Sequence, residues 1–134
     1  MTFLYIIKEV IDMQYFDIDE FRCKHCGELP ENGMNPVLLE KLDYLRGAIG
    51  YPVIVSCGYR CPYHNEEVGG VPDSQHVLGN AADIYVDGLS VDELADACVK
   101  ACFDGIGRYY SSQFVHVDVR SDGYEPNGYT WVGD

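Results

Sequence analysis

Two short segments carry the side chains that are best suited to chemistry. The first, residues 73–83, reads DSQHVLGNAAD and contains His76 and Asp83. The second, residues 114–120, reads FVHVDVR and contains His116. Two imidazoles and a carboxylate are the ligand set of a zinc site that keeps its fourth position open. Zinc in such a site lowers the pKa of bound water to about 7, so hydroxide becomes available for hydrolysis at neutral pH.

The alternation of residue types indicates how these groups are presented. Successive side chains of a strand point to opposite faces. Residues 81–87 place small and aliphatic side chains on one face and Asp83 on the other, and residues 114–120 set three valines opposite His116 and Asp118. We therefore predict two strands that pack aliphatic faces on the core and present metal-capable groups to a cleft. Spacing alone leaves a metal site and two ordinary histidines as alternatives.

Two helices have clear boundaries in the sequence. The first begins with Asn35 as N-cap and Pro36 at the first helical position, repeats leucines at helical spacing, and stops at Gly50. The second begins with a capping box at Ser90 and is predicted to extend to about Phe103. Its predicted inward side chains are Val91, Leu94, Cys98, Ala101 and Cys102.

Short strands alternate irregularly with these helices. The pattern lacks a βαβα rhythm and therefore favours an α+β fold with a small, mostly antiparallel sheet and flanking helices. The predicted strands are residues 52–56, 81–87, 106–109, 114–120 and 128–132. The length of 134 residues is that of one domain, which we place at residues 14–134 behind an N-terminal extension, residues 1–13.

Composition excludes several classes of partner. The net charge of -13 argues against nucleic acid and against electrostatic docking on anionic membranes. The apolar run near the N-terminus is too short for a secretory signal, and no segment is long enough to span a membrane. We expect a monomer without membrane insertion that is cytoplasmic as synthesised.

Six cysteines form three pairs with short spacings. Cys98 and Cys102 are four residues apart on the predicted second helix, which favours small buried side chains. The other pairs, Cys23/Cys26 and Cys57/Cys61, are compatible with a second, structural zinc site, with a disulfide or with free thiols. His25, between the first two cysteines, is a further ligand for such a site.

The motifs together resemble the zinc D-Ala-D-Ala carboxypeptidase family, which includes peptidoglycan endopeptidases, and most closely its compact single-domain branch. The resemblance extends over about residues 14–132. The residues that carry it are Ser74-x-His76-x-x-Gly79-x-Ala81-x-Asp83, Phe114-Val115-His116-Val117-Asp118, Phe21-x-Cys23-x-x-Cys26-Gly27, Gly58-Tyr59-Arg60-Cys61-Pro62-x-His64-Asn65, Val68-Gly69-Gly70 and Gly105-Ile106-Gly107-x-Tyr109. It implies a Hedgehog/DD-peptidase-like fold.

The resemblance also implies a set of roles. His76, Asp83 and His116 would bind one catalytic Zn²⁺. Arg60 would polarise the scissile carbonyl or hold a substrate carboxylate, and a guanidinium suits both tasks. A structural salt bridge is the alternative for Arg60.

Substrate contacts and the general base are less closely specified by the resemblance. Ser74 and Gln75 would bind substrate, although a loop-capping hydroxyl is the alternative for Ser74. Many family members have an acidic residue where this chain has Gln113, which cannot accept a proton. Asp118 is the substitute, as base, as a residue that orients His116, or as a ligand. Five aromatic residues would line the cleft or fill the core: Tyr59, Tyr85, Tyr109, Tyr110 and Trp131.

Two functions follow as expectations. The resemblance implies a zinc peptidase that hydrolyses D-Ala-containing peptidoglycan stem peptides, as a D,D-carboxypeptidase or an endopeptidase. Without a signal peptide it would reach the cell wall after lysis or release, as in a phage-derived protein. The alternative, which Gln113 favours, is a catalytically inactive zinc-binding module with a structural or binding role.

Overall fold

One mixed sheet of five strands is the platform of the structure, a computed structural model that describes residues 13–134. The strands are β1 Ile54–Cys57, β2 Ala81–Tyr85, β3 Gly105–Tyr109, β4 Phe114–Asp118 and β5 Tyr129–Gly133. Their order in the sheet is β1-β2-β4-β3-β5. The pairs β1–β2, β2–β4 and β3–β4 are antiparallel, and β5 joins the β3 edge in parallel. The predicted α+β class is confirmed, while nearly all of the proposed extension, residues 1–13, lies outside the described residues.

The helices begin and end where local chemistry allows. They are a 3₁₀ helix at Ile18–Phe21 and three α-helices, α1 Pro36–Ile49, α2 Pro62–Glu67 and α3 Val91–Lys100. The side chain of Asn35 accepts the Val37 N–H at the start of α1, and Gly50 ends that helix with a φ of 80°. None of the helices within residues 13–134 has the length and apolar character that a membrane span requires.

The core lies between the sheet and helices α1 and α3. The aliphatic face of β4 and its continuation, Val115, Val117 and Val119, is fully buried. Leu38 and Leu42 of α1 are also fully buried and belong to the same cluster. Burial of this face leaves the opposite face of β2 and β4 for polar side chains, as the alternation predicted.

One prediction about α3 is wrong. The helix ends at Lys100, before the predicted Phe103. Cys98 is fully buried, and burial raises the pKa of its thiol to about 12. Cys102 instead is exposed, with a φ of 64° beyond the helix end. The chain reverses there towards β3, so the four-residue spacing does not place both thiols on one helical face.

Candidate metal centre

The register of the sheet brings two of the predicted ligands together. Strands β2 and β4 are antiparallel, and Asp83 is directly opposite His116 in their register. Side chains of directly opposite residues lie on the same face about 5 Å apart. The neighbouring pair, Ala82 and Val117, therefore points the other way, and both residues are fully buried in the core.

His76 reaches this pair from the turn that precedes β2. Its Nδ1 donates a hydrogen bond to the carbonyl of Gly58 over 2.9 Å. Its Nε2 lies 3.2 Å from Oδ1 of Asp83. His76 is 5% exposed, so the ring is held in place by packing as well as by these contacts.

His116 approaches the same oxygen from the sheet. Its Nδ1 lies 3.1 Å from Oδ1 of Asp83. Its Nε2 is 2.8 Å from Oδ2 of Asp118, which accepts the ring N–H. A carbonyl or carboxylate that accepts a hydrogen bond from one ring nitrogen fixes the tautomer of a histidine and orients its other ring nitrogen towards a metal.

The three side chains fit a zinc ion. Each imidazole has one nitrogen occupied by an outer partner, and the other nitrogen faces Asp83. Zinc bonds to nitrogen and oxygen are about 2.0–2.1 Å, so the edges of a tetrahedral site measure about 3.3 Å. The observed distances of 3.2 Å and 3.1 Å to Asp83 agree with such edges. In the predicted set His76, Asp83 and His116, the donor types and the two distances that meet at Asp83 therefore match a zinc site.

Charge at this position is also consistent with cation binding. Burial opposes a charge on His76, but hydrogen bonds to Asp83 and Cys57 outweigh it and raise the pKa of His76 to about 10. Burial likewise opposes ionisation of Asp83, but hydrogen bonds from His116 and His76 hold its pKa well below the usual range. Asp83 is therefore an ionised carboxylate in a buried position, and a divalent cation would displace protons from the imidazoles on binding.

Asp118 is fully buried beside His116 and does not line the cleft. Besides His116, it accepts bonds from Nη2 of Arg120 at 2.7 Å and from the Arg120 backbone N–H at 3.1 Å. Burial opposes its ionisation, but His116 and Arg120 lower its pKa. Gly105 leaves room for the Asp118 side chain, because a Cβ at position 105 would overlap the Asp118 carboxylate.

Cys57 lies beside the candidate centre and away from the other cysteines of its predicted group. Its Sγ is 3.6 Å from Nδ1 of His76 and, with His76 and Asp83, falls within a set of ligand atoms at most 4.8 Å apart. The contact with Cys57 is made by Nδ1 of His76, which also binds the Gly58 carbonyl, and not by Nε2, which faces Asp83. The predicted four-cysteine zinc site is therefore wrong in its inclusion of Cys57.

An open cleft of about 510 Å³ lies above the three ligands. The predicted substrate-binding residues Arg60, Ser74 and Gln75 all line it. Four residues that line the cleft were not predicted to do so. Two of them, Phe114 and Arg120, share the strand face of His116, so the alternation of side chains along the strand could have predicted them. These four are Val71, Asp73, Phe114 and Arg120.

Arg60 is positioned by a neighbouring amide. Its Nη1 donates to Oδ1 of Asn65 over 2.8 Å, and Nδ2 of Asn65 donates to the carbonyl of Val71 over 2.7 Å. Asn65 is 2% exposed. Gly70 leaves space for this pair, because a Cβ there would overlap Asn65 and lie 3.0 Å from Nη1 of Arg60. No carboxylate among the described residues pairs with Arg60, so its guanidinium is not part of a salt bridge there.

Ser74 and Gln75 shape the turn as well as lining the cleft. Oγ of Ser74 accepts the backbone N–H of His76 over 3.2 Å. Oε1 of Gln75 accepts from Nδ2 of Asn80 over 3.0 Å. The loop-capping alternative for Ser74 is therefore present in the structure, and it does not conflict with a contact to substrate.

An aromatic wall closes one side of the cleft. The rings of Tyr109 and Phe114 stack with centroids 4.4 Å apart, and Nε1 of Trp131 donates to the Tyr109 hydroxyl over 2.9 Å. Gly107 makes this possible, since a Cβ there would lie 2.5 Å from the indole. The indole consequently lies over the sheet beside His116, with ring centroids 5.1 Å apart. The remaining predicted aromatics, Tyr59, Tyr85 and Tyr110, do not line this cleft.

Comparison with known proteins agrees with the geometry. The model of the family described as Peptidase M15 matches residues 14–118. The chain belongs to the peptidase M15 family. This confirms the resemblance to the zinc D-Ala-D-Ala carboxypeptidases and peptidoglycan endopeptidases that the motifs indicated.

Curated M15 relatives share a modest identity with the chain. Peptidoglycan L,D-endopeptidase MepK of Escherichia coli (strain K12) is 29% identical over 121 residues, which cover 85% of this chain and 63% of the relative. Probable peptidoglycan L,D-endopeptidase MepK of Haemophilus influenzae is 28% identical over 93 residues, which cover 63% of this chain and 50% of the relative. The chain thus spans less than two thirds of the length of these relatives.

Proposed function

We propose that the chain is a zinc-dependent peptidase that hydrolyses peptide bonds of peptidoglycan. This proposal rests on one observation. Two imidazoles, each hydrogen-bonded through its other ring nitrogen, converge on one buried carboxylate at the floor of an open cleft. Membership of the M15 family and the names of the MepK relatives support the peptide substrate and the cell-wall polymer.

A bound zinc ion would act here as a Lewis acid on the peptide carbonyl and would lower the pKa of water. The chain supplies the positioning. Arg60 lines the cleft in a fixed orientation, because Asn65 occupies one of its terminal nitrogens. Its remaining N–H groups are suited to stabilise negative charge that develops on the carbonyl oxygen, or to hold a carboxylate of the stem peptide.

The burial of Asp118 favours the orienting role over the role of general base. Both of its oxygens are engaged, and it does not reach the cleft. Among the described residues that line the cleft, one carboxylate is present besides Asp83, that of the exposed Asp73. We therefore place on Asp73 both the acceptance of a proton from the attacking water and the transfer of that proton to the leaving amine, and we place the orientation of His116 on Asp118.

The bond that is cleaved separates two versions of this function. The motifs resemble enzymes that act on D-Ala-containing stem peptides, whereas the relatives are named for an L,D bond. The purified chain, loaded with zinc, is incubated with reduced muropeptides of defined cross-linkage, and the products are identified by mass spectrometry. D-Ala release indicates a carboxypeptidase, and loss of cross-linked dimers indicates an endopeptidase.

The control is a variant that removes one ligand, His116→Ala. We expect cleavage by the wild type, loss with a chelator, recovery with added zinc, and no cleavage by the variant. Absence of cleavage by a wild-type protein that contains zinc at this centre would refute the peptidase and leave the inactive zinc-binding module. One observation favours that module: Gln113 is exposed, and its side chain donates to the Tyr110 carbonyl over 2.6 Å, outside the cleft.

A further inference from the structure

The structure assigns a second metal site, for a structural Zn²⁺, to the thiols of Cys23, Cys26 and Cys61. Their three sulfur atoms all lie within 4.8 Å of one another. Zinc–thiolate bonds are about 2.3 Å, so two sulfurs of a tetrahedral site lie about 3.8 Å apart. The three thiols, which come from two distant parts of the chain, therefore already converge to within about 1 Å of the spacing that a shared ion requires.

Backbone donors point at two of these sulfurs. The N–H of Cys61 donates to Sγ of Cys23 over 3.4 Å, and the N–H of His64 donates to Sγ of Cys61 over 3.4 Å. Hydrogen bonds to the charged form of a group favour that form, and only the thiolate binds the metal. Gly27, with a φ of 77°, turns the chain directly after Cys26, and two residues separate Cys26 from Cys23. Such a spacing is typical of structural zinc sites.

Two histidines lie close to these thiols in the chain and are the candidates for a fourth ligand, although neither belongs to the set of ligand atoms within 4.8 Å of one another. His25 lies between Cys23 and Cys26 in the chain, and His64 follows Cys61 by three residues. Their rings stack with centroids 5.3 Å apart and an interplanar angle of 4°. Nδ1 of His64 is buried without a hydrogen-bond partner in residues 13–134, and the nearest carboxylate oxygen, on Glu67, is 3.7 Å away. Three cysteines and one histidine are a common ligand set for structural zinc.

The site would hold the segment that supports the catalytic centre. Cys61 follows Arg60 directly, and the carbonyl of Gly58 is the outer partner of His76. The same segment packs tightly on the N-terminal loop: Tyr59 N–H donates to the Phe21 carbonyl over 2.9 Å. A Cβ at Gly58 would lie 2.7 Å from Cα of Phe21. An ion shared by both segments would hold these residues in place relative to each other.

A disulfide is the competing explanation, and it makes different predictions. A disulfide would join two of the three thiols, leave the third free and need no metal. All six cysteines are free thiols in the structure. Three converged thiols are one more than a disulfide uses, which favours the metal.

The test is the metal content of the full chain, purified under reducing conditions and measured by mass spectrometry of the native protein. Cys26→Ser is the main variant because Cys26 is exposed, so the loss of its thiol does not open the core. Cys102→Ser, at another exposed cysteine, is the matched control. Cobalt substitution adds a second readout, because thiolate ligands give Co²⁺ an intense near-ultraviolet charge-transfer band.

We expect two zinc ions per chain in the wild type and in Cys102→Ser, and one in Cys26→Ser, with the thiolate–cobalt band lost only in Cys26→Ser. His116→Ala should lose the other ion and keep the band, so this site and the proposed catalytic site are tested separately. Of the two variants His25→Ala and His64→Ala, the one that weakens cobalt binding identifies the fourth ligand.

Three results would overturn the inference. One is a metal content that Cys26→Ser leaves unchanged. Another is a chain mass that shows a disulfide between two of the three cysteines in the reduced preparation. The third is a thiolate–cobalt band that persists in Cys26→Ser and disappears in Cys57→Ser, which would place the thiolate ligand at the catalytic centre.

Discussion

Replacing Asp118 by asparagine tests whether this carboxylate orients His116 or carries a proton. The substitution conserves the shape of a side chain that is fully buried. An amide oxygen can still accept from Nε2 of His116, now 2.8 Å from Oδ2, but without a negative charge. Arg120 loses the carboxylate to which Nη2 donates over 2.7 Å.

The size of the effect follows from these contacts. Loss of an outer partner of a metal-bound histidine typically lowers metal affinity or activity about 10–100-fold. That range corresponds to about 1.4–2.8 kcal/mol of zinc binding free energy. Hydrogen bonds to charged groups contribute roughly 1.5–3 kcal/mol to folding, and we expect the lower end because the Arg120 side chain is 29% exposed.

The assay separates the two roles by titration with zinc. Zinc affinity is measured by competition with a chelator of known affinity, and turnover of a muropeptide is measured at limiting and at saturating zinc. An orienting residue predicts weaker zinc binding and a turnover that recovers at saturating zinc. A general base predicts unchanged zinc affinity and a turnover that stays about 100–10,000-fold lower at every zinc concentration.

Asp104→Asn is the matched control. Asp104 is also fully buried, and it accepts the backbone N–H groups of Ser121, Gly123 and Glu125 at 2.8–2.9 Å, without touching the ligands. It should lower the free energy of unfolding without changing zinc affinity. If Asp118→Asn leaves zinc affinity at the wild-type value and abolishes turnover at saturating zinc, our account of Asp118 is refuted.

Three further predictions concern the cleft and the thiols. Gly107→Ala introduces a Cβ 2.5 Å from the Trp131 indole, so the free energy of unfolding in a urea titration should fall by about 1–3 kcal/mol and substrate KM should rise; unchanged stability and KM would contradict the close packing. Arg60→Lys keeps the charge but removes the planar fork, so kcat/KM should fall roughly 100-fold with zinc content unchanged; near-normal kinetics would rule out a role in the transition state. Cys102 should react with iodoacetamide in the native protein whereas Cys98 should not, because burial raises the pKa of Cys98 to about 12; equal labelling of both would contradict the position of Cys98 in the core.

Much of the candidate site follows from local sequence. Strand alternation predicts that Asp83 and His116 lie opposite aliphatic faces, because that pattern depends only on the period of two in a strand. The caps at Asn35 and Ser90 are likewise local hydrogen bonds to backbone a few residues away, and both are present. The parallel addition of β5 to β3 was not predicted, since pairing between distant segments leaves no local pattern.

What the sequence by itself determined is the set of candidate side chains, the strands that carry Asp83 and His116, and the family to which the chain belongs. Only the tertiary structure decided which nitrogen of each histidine faces Asp83 and that Asp118 is buried beside His116. It also separated Cys57 from the three other thiols. Apart from the contact between His116 and Asp118, these contacts join segments that are distant in the chain. They depend on strand register, on the direction of side chains and on the space left by glycines, which residue spacing does not encode.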